Sequence, residues 1–199
     1  MIWAVVLAAG ESRRMGTQKL LLPFGDATVV EAVVRTALAS RVDRGLVVIG
    51  ADRDAVRPRL EPSGVAFAVN ENYQLGMLSS VQAGLRALPD EAEAAVILLG
   101  DQPFLPAPVV DAVIGAYRES RKGIVIPTFQ GRRGHPILID LKFRAEVLAL
   151  DPAEGLRRLI GAHSDDISEV EVGDANILRD LDTPEDYAGL PNRTKKEPS

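Results

Sequence analysis

Through the first two thirds of the chain, short unbroken apolar runs alternate with longer segments whose apolar positions recur every three or four residues. The unbroken runs, residues 2–8, 46–50, 65–69 and 95–99, have few polar positions. That pattern predicts strands buried on both faces, and hence a parallel sheet under helices. The periodic segments, 29–39, 55–60, 78–88 and 107–121, predict helices between them. Strict alternation of the two gives an α/β fold, a three-layer α/β/α doubly wound architecture.

The pattern then changes. Residues 123–127 and 136–139 flank a Gly- and Arg-rich turn over 128–135, which predicts two strands of a mixed sheet. Helices are predicted near 142–149 and 154–162, and a strand over 167–172. Thr183-Pro184-Glu185-Asp186 reads as a helix start, with a capping Thr, an early Pro and acids at the positive end. The expected organisation is a single domain over 1–190 and a polar, disordered tail over 191–199.

Composition narrows the function classes. The chain has 199 residues, 46% of them hydrophobic and 26% charged, as in ordinary globular proteins. A net charge of −5 argues against a general nucleic-acid surface, so any basic cluster is a local feature. The absence of cysteine excludes disulfides, thiolate zinc sites and a cysteine nucleophile. No apolar stretch is long enough to span a bilayer. The expectation is a cytoplasmic protein with no nucleic-acid or membrane partner.

One segment concentrates unusual chemistry. Residues 7–19 read Leu-Ala-Ala-Gly-Glu-Ser-Arg-Arg-Met-Gly-Thr-Gln-Lys, directly after the first predicted strand. Gly10 and Gly16 permit sharp turns and close approach to a ligand. Arg13, Arg14 and Lys19 add positive charge to the same loop. A basic, glycine-bearing loop at the carboxyl end of a first strand suits phosphate binding, although strand-to-helix turns also use glycine. It is neither a P-loop nor a dinucleotide fingerprint, and no nucleophile elbow occurs.

Asp101, in Gly-Asp-Gln-Pro, follows the run 95–99 and Gly100. A carboxylate there faces the crevice in which α/β proteins bind ligands and suits a magnesium ion beside phosphates; a simple turn aspartate is the alternative. Asp180 and Asp182 stand two apart, so in extended chain both point the same way. Asn70 to Ser80 links a strand to a helix, where Gly76, Ser79 and Ser80 offer donors to a base or sugar, or cap the helix. Gly131-Arg132-Arg133-Gly134-His135-Pro136 is a second basic turn, able to meet an anionic substrate or to be a solvated hairpin. His163, the other histidine, sits in a polar stretch and reads as a surface residue.

In order along the chain, Leu7-Ala8-Ala9-Gly10 with Ser12, Arg14-Met15-Gly16 and Lys19-Leu20-Leu21-Leu22-Pro23, then Gly76-Met77 with Ser80, Gly100-Asp101-Gln102-Pro103, the turn 131–136 and the acidic run 180–186 resemble the MobA-like nucleotidyltransferase family. The Ala-Ala-Gly opening and the Gly-Arg-Arg-Gly-His-Pro turn are most similar to its molybdenum cofactor cytidylyltransferase (MocA-like) branch. The resemblance spans residues 2 to about 190.

The resemblance implies a GT-A-like nucleotidyltransferase fold with a mostly parallel mixed sheet. It implies a reaction in which CTP is bound with Mg2+ and CMP passes to the terminal phosphate of molybdenum-bearing molybdopterin, releasing pyrophosphate. By resemblance, Arg14, Lys19 and Asp101 are catalytic. Leu7, Ala8, Ala9, Gly10, Ser12, Arg13, Arg14, Lys19, Met77, Ser79, Ser80 and Gly100 bind the nucleotide. Arg133 and His135 face the acceptor, and Asp101 holds the metal with Asp182 or Asp180. A molybdenum enzyme is the implied partner. Related readings are GTP in place of CTP, a sugar or polyol phosphate acceptor, or a non-catalytic cofactor-binding accessory protein. Redox activity lacks a dinucleotide fingerprint and a cysteine pair.

Overall fold

The computed structural model describes residues 1–12, 18–181 and 183–188. Its strands are β1 (Ile2–Ala8), β2 (Pro23–Phe24), β3 (Ala27–Thr28), β4 (Arg44–Ile49), β5 (Ala66–Val69), β6 (Ala94–Leu99), β7 (Ile124–Phe129), β8 (Arg132–Arg133), β9 (Ile137–Asp140) and β10 (Ile167–Glu171). Its helices are α1 (Val29–Leu38), α2 (Arg53–Leu60), α3 (Met77–Ala87), α4 (Ala107–Ser120), α5 (Arg144–Ala149), α6 (Arg157–Ala162) and α7 (Pro184–Ala188). The main sheet runs β10-β7-β9-β6-β1-β4-β5, with β8 attached to β7 and a separate β2–β3 hairpin.

β1 pairs in parallel with both β4 and β6, and β5 extends β4 in parallel. β9 lies antiparallel between β6 and β7, and β10 is parallel to β7. The sheet is therefore mixed but mostly parallel. The two strands expected around the glycine-rich turn do pair with each other, and the tip of that turn adds the short β8.

Period-2 alternation splits the strands between two apolar layers. Ala4, Val6, Val47, Val96 and Leu98 pack under α1 and α4, while Val5, Leu46, Val48, Ala95 and Ile97 pack under α3 with Val147 of α5 and Leu159 of α6. α1 buries Val29, Val30, Val33, Val34 and Ala37, a stripe at helical spacing. Four β-branched valines are poor helix formers, so packing and the N-terminal cap hold this helix. The cap is reciprocal: Thr28 and Glu31 form a capping box.

The reading of all four early strands as buried on both faces fails for β5. Ala66 and Val69 are exposed, because β5 is the last strand of the sheet and has a neighbour on one side alone. Four helix starts also move: α2 begins at Arg53, α3 at Met77, α5 at Arg144 after a 3-10 turn over Leu141–Phe143, and α6 at Arg157, so residues 154–156 lie outside it.

Glycine sets how closely the layers meet at two points. A Cβ on Gly84 of α3 would lie 2.6 Å from Val5 Cγ1 and 3.1 Å from Val48 Cγ2, so α3 rests directly on β1 and β4. A Cβ on Gly100 would lie 2.7 Å from the Leu7 carbonyl oxygen, to which Gly100 N donates at 3.0 Å. The chain beyond β6 is thereby held against the end of β1.

Candidate active site

The chain leaves β1 toward β4 and β5 on one side, then returns to β6 on the other. Such a reversal opens a crevice at the carboxyl ends of the strands. A cleft of about 570 Å3 occupies it, walled by Leu7, Ala9 and Gly10 from the end of β1, Lys19 from the first loop, Met77 and Ser80 from α3, and Asp101 after β6.

At its centre Lys19 Nζ lies 2.5 Å from Asp101 Oδ2, with both side chains largely buried. The loop positions Lys19 through Ser12. Ser12 has φ +52°, its hydroxyl donates to Gln18 Oε1 at 2.7 Å, and it accepts from Lys19 N at 3.2 Å. One hydroxyl thus links Ser12 to both Gln18 and Lys19. Gln18 also caps the short 3-10 turn Lys19–Leu21 by accepting from Leu20 N.

Opposite the loop, Asp180 joins the cleft wall. Leu181 N donates to the Asp101 carbonyl at 3.0 Å, and Gln102 Nε2 donates to Asp180 Oδ1 at 2.6 Å. These bonds bring a segment from near the carboxyl terminus to the acid after β6. Among the described residues no group of three or more His, Asp or Glu is arranged as a metal cage.

The start of α3 is built by Asn70. Its Nδ2 donates to Ser79 Oγ at 2.9 Å and Ser80 Oγ at 3.0 Å, while its Oδ1 accepts from Asn72 N at 2.9 Å. Gly76, at φ +103°, turns the chain into the helix.

A family model described as the MobA-like NTP transferase domain matches residues 4–167. The chain belongs to that family. The MobA-like chain is 29% identical over 188 residues to the molybdenum cofactor cytidylyltransferase of Escherichia coli (strain K12), covering 92% of each. It is 34% identical over 195 residues to purine catabolism protein PucB of Bacillus subtilis (strain 168), again 92% of each. It is 31% identical over 192 residues to nicotine blue oxidoreductase of Paenarthrobacter nicotinovorans, covering 92% of this chain and 93% of that one. Among solved structures, Rv0371c of Mycobacterium tuberculosis H37Rv in complex with manganese is similar at a TM-score of 0.79 and 27% identity, over 94% of this chain and 96% of that one. The MobA-like protein is accordingly an enzyme, a transferase of the nucleotidyltransferase class.

The cleft of this MobA-like protein gathers Leu7, Ala9, Gly10, Ser12, Lys19, Gly76, Met77, Ser80, Asp101 and Asp180 from the candidate positions of the sequence. Ala8 and Gly100 lie beneath its wall: Ala8 is buried, and Gly100 packs on the end of β1. Ser79 is buried too, with its hydroxyl facing the carbonyls of Gly76 at 2.7 Å and Asn72 at 3.0 Å. Ser79 thus closes the loop before α3, while its neighbour Ser80 reaches the cleft. Arg13, Arg14 and Asp182 lie outside the described residues.

The two acceptor candidates diverge. Arg133 stands on β8, and its Nε and Nη2 donate to Glu169 Oε1 of β10 at 2.8 and 2.5 Å, outside the cleft wall. His135 is held in place by its own backbone, whose N–H donates to the Ile177 carbonyl at 3.0 Å, and the His135–Pro136 peptide is cis. Burial pushes the His135 imidazole below its ordinary pKa, while the charge of Asp101 pulls the other way. His135 is not part of the cleft wall. His163 is half-buried, pairing with Glu146 at 2.8 Å and stacking on Phe143.

The cleft also holds Glu11, Leu20, Tyr73, Gln74 and Leu99, which sequence reasoning did not single out. Tyr73 and Gln74 belong to the segment 70–80, beside its glycine and hydroxyls. An aromatic ring and an amide beside that glycine were a usable signal, since such groups suit a base.

Proposed function

We propose that this protein transfers CMP from CTP to the terminal phosphate of molybdopterin carrying molybdenum, and releases pyrophosphate. The observation that carries the reading is the meeting of Lys19, from the glycine-bearing loop, with Asp101, from the end of β6, in one cleft. The MobA-like family and the similarity to a cytidylyltransferase support it.

In this reaction an oxygen of the acceptor phosphate attacks the α-phosphorus of CTP. The bond from that phosphorus to the β-bridging oxygen breaks, and pyrophosphate leaves with the electron pair. The nucleophile is already anionic, so no strong base is needed. Catalysis is then a matter of alignment and charge neutralisation. Lys19 neutralises charge on the triphosphate and the leaving group, with Arg14 as its partner from the same loop. The end of β1 at Ala9 and Gly10 lets phosphate oxygens approach the backbone closely. Met77 and Ser80 approach the cytidine.

The donor set fits magnesium. Asp101 and Asp180 offer hard carboxylate oxygens to one cleft, and two carboxylates are the usual protein share of a site whose other ligands are water and phosphate. Magnesium bound there supplies positive charge to the phosphate oxygens. Asp182 is a further candidate ligand. His135 faces the acceptor side, and Arg133 reaches it by releasing Glu169. The protein acts in the cytoplasm and hands its product to a molybdenum enzyme.

Pyrophosphate release, measured with CTP, GTP, ATP and UTP with and without molybdopterin acceptors, tests the reading. The expected result is release with CTP that depends on both magnesium and the acceptor. Preference for GTP, or for a sugar or polyol phosphate, would reassign the substrates. Binding without release under any pairing would make the protein a carrier.

A further inference from the structure

We propose that Gln102 is a positioning residue that orients Asp180 toward the bound cation and thereby sets how strongly magnesium tightens nucleotide binding. The inference rests on the proposed nucleotidyl transfer and deepens it.

Gln102 is 3% exposed and lies outside the cleft wall, so it does not touch the nucleotide itself. Its Nε2 donates to Asp180 Oδ1 at 2.6 Å, a short bond to a charged acceptor. Its Oε1 is buried without a hydrogen-bond partner among the described residues. A buried acceptor left without a partner is costly. Turning the amide over would bring Oε1 against the carboxylate and set two acceptors face to face. The orientation seen is therefore the one that holds Asp180, at the expense of Oε1. A second bond works with it: Leu181 N to the Asp101 carbonyl fixes the backbone, and Gln102 fixes the side chain. Residues 101 and 102 thus carry one cleft carboxylate and the clamp on the other.

Partners of ligating carboxylates tune cation affinity, and their loss costs about 10–100-fold. Cation and nucleotide affinities are reciprocally coupled. The diagnostic quantity is the factor by which Mg2+ tightens CTP binding, measured by equilibrium dialysis without acceptor. Gln102→Leu is expected to reduce that factor about 10-fold or more. Its affinity for CTP in the absence of Mg2+ should stay at the wild-type value.

Gln102→Met keeps the length and bulk of the side chain and removes the donor to Asp180, so a packing role alone would leave its magnesium factor at the wild-type value. The expected factor is instead reduced about 10-fold or more, as in Gln102→Leu.

A wild-type magnesium factor in a folded Gln102→Leu or Gln102→Met protein would overturn the inference while leaving the transfer reaction standing. A wild-type protein whose CTP affinity ignores magnesium and which releases no pyrophosphate would overturn both.

Discussion

Lys19 and Asp101 are 82 residues apart in the chain and 2.5 Å apart at the centre of the cleft. The ammonium comes from the loop after β1 and the carboxylate from the turn after β6, two neighbouring parallel strands. Parallel pairing places both carboxyl ends at one edge of the sheet, and the two functional loops meet there.

That pair gives the first test. Lys19→Met should lower pyrophosphate release by roughly 10²–10³-fold under saturating magnesium, the scale of losing one charge stabiliser of the transition state. Single-turnover rates check it. Wild-type-like rates would remove Lys19 from the catalytic assignment.

His135 makes stability depend on pH. Its folded pKa lies below the ordinary 6.5, with burial the larger cause. The unfolded chain therefore binds more protons in the interval between the two values, and stability rises with pH across it. The contribution is complete above about 6.5 and is lost as pH falls through that value toward the folded pKa. Urea denaturation at several pH values between 5 and 7.5 should show a shallower slope in His135→Gln than in wild type. Equal slopes would mean that the ring is as solvated folded as unfolded.

Gly100 tests the packing beneath the site. An alanine methyl there would meet the Leu7 carbonyl, a backbone atom with little room to move. Gly100→Ala should destabilise the fold by about 1–3 kcal/mol, the usual cost of overpacking. Because the strain falls between β1 and the Asp101 turn, CTP binding should weaken as well. A melting scan and a binding titration on the same sample distinguish the two effects.

Thr28 supports α1 away from the cleft. Thr28→Ala removes the cap and should cost about 1 kcal/mol, roughly 2–4 °C in Tm, with little change in turnover. A drop in transfer rate as large as that of Lys19→Met would show that α1 reports to the site.

Much of this was legible in one dimension. The apolar run at residues 2–8 predicted β1 at its observed bounds, because a short unbroken apolar run bounded by a glycine loop has few other solutions. The glycine-bearing basic loop was readable from Gly10, Gly16, Arg13, Arg14 and Lys19, since glycine and charge within a few residues act together wherever the chain goes; of these, Gly10 and Lys19 are described, and both line the cleft. Asp101 and the pair Asp180 and Asp182 were readable as carboxylates able to hold a metal beside that loop, and the tertiary structure brings Asp101 and Asp180 to the cleft. Ser79 and Ser80 could not be separated by sequence, because adjacent helical positions differ only in which way the helix faces. Both are buried, and the fold alone shows that Ser80 lines the cleft while the Ser79 hydroxyl is taken up by the carbonyls of Asn72 and Gly76.

What residue order determined by itself was local: which segments extend, which coil, and where loops carry glycine and charge. Those properties depend on neighbours within a few residues and survive in any arrangement of the strands. Which strand borders which was decided only in three dimensions, where β1 takes β4 on one side and β6 on the other and β5 is left at the edge. The clamp of Gln102 on Asp180 belongs to the same level, since a bond across 78 residues exists only once the chain has returned to the end of β6.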